Sequence, residues 1–97
     1  MKTPSLQSKV KIGPDILYRE IEGEAVVLNP KTGIYYGLDP MGTRIWHLIE
    51  QHKSLERVSR SLQQEFNVEE NRCRTDLLKF TGDLRKNGLI ERVPAPR

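Results

Sequence analysis

After a polar lead-in with no sustained period, strand-like stretches run between about residues 15 and 38, and the pattern then shifts to a helical period. Val10 and Ile12 alternate as the start of an edge strand, which Gly13-Pro14 interrupts. Ile16 to Ile21 reads as a strand, Glu22-Gly23 as a tight turn, and Glu24 to Leu28 as a second strand. Asn29-Pro30-Lys31-Thr32-Gly33 is a five-residue loop of turn formers, and Ile34 to Leu38 is a third strand rich in residues that suit a pleated surface. A loop of that length sets Leu28 opposite Ile34, Val26 opposite Tyr36 and Glu24 opposite Leu38. Val26, Leu28, Ile34, Tyr36 and Leu38 then share the face expected to meet the helices, with Ala25, Val27, Tyr35 and Gly37 on the other.

Asp39-Pro40 marks a helix start, a capping side chain followed by proline in the first turn. Ile45, Leu48, Ile49 and His52 follow at helical spacing, with Trp46 beside them. Ser54 caps a second helix with apolar positions Leu55, Val58, Leu62 and Phe66. A third starts near Glu69-Glu70, where acids favour a helix N-terminus, and carries Cys73, Leu77, Phe80 and Leu84 at steps of four, three and four. Lys86-Asn87-Gly88 stops it, and Leu89, Ile90 and Val93 suit a short closing strand.

Three antiparallel strands followed by three helices make an α+β domain with one helical layer on a small sheet. The expected division is a flexible lead-in over 1–13, a folded domain over 14–93 and a tail over 94–97. Ninety-seven residues, 36% apolar and 30% charged, suit one soluble domain. No apolar run approaches the ~20 residues that span a bilayer, and the N-terminus lacks the apolar stretch of a signal peptide, so the expected location is the cytoplasm and no membrane partner is expected. The excess of 16 basic over 13 acidic side chains is small and interspersed, which argues against nucleic acid as the partner.

Catalytic chemistry is not signalled. His47 and His52 are five apart, which is not the spacing of neighbouring ligands on a helix face, and neither has a second cysteine or an acidic pair beside it. Cys73, the only cysteine, falls in the apolar stripe of the third helix and reads as a small buried hydrophobe. Gly37, Gly42 and Gly82 do not compose a phosphate loop. No enzyme activity, metal or cofactor is therefore expected. What the pattern does supply is an open sheet edge, a template for a further strand. Ile34 to Leu38 would form one wall of a groove, and the third helix the other through residues outside its main stripe: Arg74, Leu78 and Thr81.

The ordered set of segments Gly23 to Asn29, Gly33 to Asp39, Gly42 to Trp46, Leu62 to Val68 and Asp76 to Ile90 resembles the PqqD-like family across about residues 15–92. Its members are recognition elements for the precursors of ribosomally made, modified peptides. The Tyr35-Tyr36-Gly37-Leu38-Asp39 segment and the stand-alone format most resemble the leader-binding proteins of lasso-peptide biosynthesis. The resemblance implies a winged-helix-like fold that binds the leader as an extra antiparallel strand against the third strand, beside the third helix. Carried over to this chain, the peptide-binding positions are Ile34, Tyr35, Tyr36, Gly37 and Leu38 on the strand and Arg74, Asp76, Leu77, Leu78 and Thr81 on the helix. The implied partners are the leader region of a precursor, a separate cysteine leader peptidase and a macrolactam synthetase. A Tyr-x-x-Pro element, common in such leaders, would need an apolar pocket.

Two alternatives stay open at this point. One is a peptide chaperone for another modified-peptide pathway. The other is a winged-helix DNA-binding protein, which the mixed charge of the second and third helices and the placement of strands before helices disfavour.

Overall fold

The computed structural model describes residues 7–93; residues 1–6 of the expected lead-in and the expected tail over 94–97 lie outside them. Its five strands are β1 (Lys9–Ile12), β2 (Leu17–Ile21), β3 (Glu24–Asn29), β4 (Ile34–Gly37) and β5 (Ile90–Val93); its helices are α1 (Pro40–His52), α2 (Leu55–Phe66) and α3 (Glu70–Lys86). Strands β2-β3-β4 form a three-stranded antiparallel sheet, and β1 pairs with β5 in a second, two-stranded one.

Local chemistry sets each helix end. The Asp39 carboxylate accepts from the Gly42 N–H at 2.7 Å, with Pro40 in the first turn of α1. Ser54 caps α2, and the Glu69 carboxylate accepts from the Asn71 and Arg72 N–H groups at the start of α3. Helix α3 ends in paired bonds, Gly88 N–H to Arg85 C=O at 3.0 Å and Leu89 N–H to Leu84 C=O at 2.9 Å. Gly88 takes the positive φ of 77° that this geometry requires, and the side chain of Leu89 is fully buried.

The register of β3 and β4 differs by one residue from the sequence expectation, which changes the face. Asn29 pairs with Ile34, Leu28 with Tyr35, Val27 with Tyr36 and Val26 with Gly37. Ala25 and Val27, expected outside, are therefore fully buried beneath α1, with Leu38 of the cap loop buried beside them and Tyr36 of β4 partly buried against the same core. Asn29 is the cause. It belongs to the strand and not to the loop, and its buried side chain accepts from the Lys31 N–H while donating to the Asn87 carbonyl after α3. The loop shortens to four residues, closed by Gly33 N–H to Asn29 C=O at 2.8 Å with Gly33 at φ 72°.

The flexible lead-in expected through residue 13 is corrected for residues 8–12. Strand β1 runs against β5, Val10 is fully buried, and its N–H donates to the Lys53 carbonyl at 2.8 Å. The Leu55 N–H donates back to Ser8, so β1 is laced to the α1–α2 junction. Four residues carry too little periodicity to show this; burial between two distant segments decides it. Helix α1 sits at the centre of the core, with Trp46, Leu48 and Ile49 inside, flanked by Leu55 and Val58 of α2, Cys73, Leu77 and Leu84 of α3, and Leu89 and Ile90 at the C-terminal strand. Full burial of each large apolar side chain contributes roughly 1.5–3 kcal/mol.

Candidate functional site

Strand β4 lies at the edge of its sheet, and its register determines which backbone groups remain free. Leu38 N–H donates to the Ala25 carbonyl at 2.8 Å, so the Ala25–Leu38 position is of the hydrogen-bonded type. Alternation then directs the N–H and C=O of Tyr36 inward to β3 and those of Tyr35 and Gly37 outward from the sheet, while the Ile34 N–H donates to the Thr32 hydroxyl at 3.3 Å. The buried Thr43 hydroxyl completes the rung at the strand's end. It accepts from the Ala25 N–H at 2.8 Å and donates to the Leu38 carbonyl at 3.3 Å, which ties the edge to α1.

Beside the end of this edge lies a cavity of about 330 Å³ lined by Gly37, Leu38, Asp39, Met41, Gly42, Ile45 and Phe80. Most of those side chains are apolar, and Met41 is 41% exposed. Gly37 adds open space, since a Cβ placed there would meet nothing within 4 Å. Helical spacing puts Asp76 and Asp83, four residues before and three after Phe80, on the groove side of α3, and both are exposed. The site thus joins unpaired backbone donors and acceptors to an apolar hollow with acids along one rim.

The expected strand residues, Ile34 to Leu38, form this edge and the floor beside it. The expected helix wall is redistributed. Leu77 and Thr81 are interior, 1% and 0% exposed, and the Thr81 hydroxyl bonds back to the Leu77 carbonyl. Leu78 packs against the core and, two residues from Phe80, points about 200° away from it around the helix. Arg74 faces a separate polar hollow of about 220 Å³ between α2 and α3, with Ser59, Arg60 and Gln63. Of the five helix positions, Asp76 alone shares the groove side, in a 3.8 Å ion pair with Arg72. The sequence pattern missed Phe80, Met41, Gly42 and Ile45 as lining residues. Phe80 was indistinguishable from its stripe, whereas an apolar Met41 directly after a helix-starting proline was a signal available to read.

The outer face of the three-stranded sheet carries Leu17, Ile21, Val26, Leu28 and Tyr35 around a shallow hollow, with Tyr35 68% exposed. Groups with displaced pKa values lie elsewhere. Tyr18 is pushed up to about 12, first by its hydrogen bond to Glu50, then by burial and the charges of Glu50 and Glu20. The bidentate Arg44–Glu65 pair between α1 and α2 raises the arginine and lowers the carboxylate, and bonds from the Arg72 and Asn71 N–H groups lower Glu69 at its cap. His47 pairs with Glu20 at 2.9 Å. Among the described residues no cluster of three or more His, Cys, Asp or Glu is placed to hold a metal, and no helix is long and apolar enough to cross a membrane.

A solved structure described as TbiB1 in complex with the TbiA(beta) leader peptide is similar to this chain with a TM-score of 0.81 and 33% identity, covering 88% of this chain and 99% of its own. A second, lasso peptide synthetase B1 complexed with the leader peptide, has a TM-score of 0.77 over 89% of this chain and 99% of its own; at 22% identity it speaks for the fold. No curated protein sequence matches. The family described as coenzyme PQQ synthesis protein D (PqqD) matches residues 24–90, which contain the open edge, the groove and all three helices. This chain belongs to the PqqD family.

Proposed function

We propose that this chain binds the leader segment of a ribosomally made lasso-peptide precursor as an added antiparallel strand on β4 and presents it to separate processing enzymes. The observation that carries the reading is the pairing of outward backbone groups at Tyr35 and Gly37 with the apolar groove around Phe80. Strand addition draws affinity from the former and selectivity from the latter. A guest in this position places alternate side chains over the groove and over the outer face beside Tyr35. The leader complex of the relative at 33% identity supports the same partner class.

The reading assigns no chemistry to the domain itself. A cysteine leader peptidase and a macrolactam synthetase would act on the bound precursor in the cytoplasm, the first cutting after the leader and the second closing the released core. Isothermal calorimetry with the TbiA(beta) leader peptide is the test. Binding in the micromolar range or tighter is expected, with none for the core portion of the same precursor. Equal affinity for leader and core, or none for either, would rule the reading out.

A further inference from the structure

Gly42 stands in the first turn of α1 with ordinary backbone geometry, so conformational freedom does not explain a glycine there. Contact does. A Cβ at this position would lie 3.2 and 3.3 Å from Cζ and Cε1 of Phe80, and 3.1 Å from the Asp39 carboxylate oxygen. The aromatic ring of α3 therefore rests directly on the backbone of α1. Capped helices commonly carry full side chains at the third position, so the carboxylate contact is tolerable. The ring has to move by a few tenths of an ångström, and only one direction is open. Phe80 packs against the buried core on one side and borders the 330 Å³ groove on the other.

We infer that Gly42 is a specificity-determining residue: its missing Cβ lets Phe80 seat against α1 and holds the groove beside β4 open to its full width. The inference rests on the peptide-binding reading and deepens it, because it names the contact that sets how large a guest side chain the groove admits. A side chain at position 42 drives the ring outward into the space a guest would fill. Glycine within a helix is also unfavourable relative to alanine, so its presence here opposes local helix stability.

Stability and binding should consequently move apart. Gly42→Ala is expected to keep or raise the Tm while weakening affinity for the TbiA(beta) leader peptide at least threefold, with Gly42→Val weaker still. Adding Phe80→Leu to Gly42→Ala should recover affinity relative to Gly42→Ala alone, as removing part of the ring returns the space. In the peptide-free protein, nuclear Overhauser contacts from the Phe80 ring to α1 should shift with Gly42→Ala. Wild-type affinity in a folded Gly42→Ala protein, or an unmoved Phe80 ring, would overturn the inference. Absence of binding by the wild-type chain would instead defeat the peptide-binding reading, and the ring contacts would then decide the role of Gly42 alone.

Discussion

Neighbouring residues of β4 do opposite work although their side chains look alike. Tyr36 turns its backbone to β3 and its ring to the core side, whereas Tyr35 turns its backbone outward and its ring to the open sheet face. Proline is tolerated on an edge strand where its missing N–H would face solvent, and not where it removes a rung. Tyr35→Pro is therefore expected to leave thermal unfolding within a few degrees of wild type while cutting leader affinity at least tenfold. Tyr36→Pro should lower the Tm sharply, because it removes the bond to Val27. A thermal melt paired with calorimetry separates the two. Tyr18 sets a pH dependence at the same scale. Its phenol donates to Glu50 at 2.5 Å and its pKa is raised to about 12, so the folded chain holds the proton more firmly than the unfolded one. That contribution is complete below about pH 10, the ordinary tyrosine value, and is lost as pH rises towards 12. Urea titrations across this window should show an alkaline loss of stability that Tyr18→Phe makes shallower.

At the scale of elements, Thr43 shows how a helix fixes a strand edge. Its buried hydroxyl serves one donor and one acceptor where β3 and β4 part. Thr43→Val keeps the shape and strands the Ala25 N–H, a loss of about 1–3 kcal/mol. Thr43→Ser should retain most of the wild-type stability in chemical unfolding. Helix ends and helix order were legible in the sequence because Asp39-Pro40, Ser54, Glu69 and Gly88 act locally. The register was not, since it turns on whether Asn29 closes the strand or opens the loop. The answer lies 58 residues away, at the Asn87 carbonyl that binds the Asn29 side chain. The open edge at Ile34 to Leu38 was legible for a different reason: a last strand leading straight into helices has no later neighbour in its sheet. The helix wall was less so. Leu78 broadens the apolar face of α3 towards the core, and sequence spacing alone cannot tell that side from the one occupied by Phe80.

Across the whole molecule, the two sheets divide the labour. The β1–β5 pair joins the first and last strands beside the α1–α2 junction, and the three-stranded sheet presents its edge beside α1 and α3. Its other edge, β2, also has free backbone groups, but Arg19 and Glu20 place charges there, and such charges discourage pairing. Strand addition should hence occur at β4 alone. Amide hydrogen exchange, resolved by residue with and without the TbiA(beta) leader peptide, tests this most directly. The account predicts that the Tyr35 and Gly37 amides become protected on binding, that Tyr36 is protected throughout, and that Tyr18 and Glu20 on β2 are unchanged. Protection appearing on β2, or binding that leaves Tyr35 and Gly37 exchanging as freely as before, would contradict it.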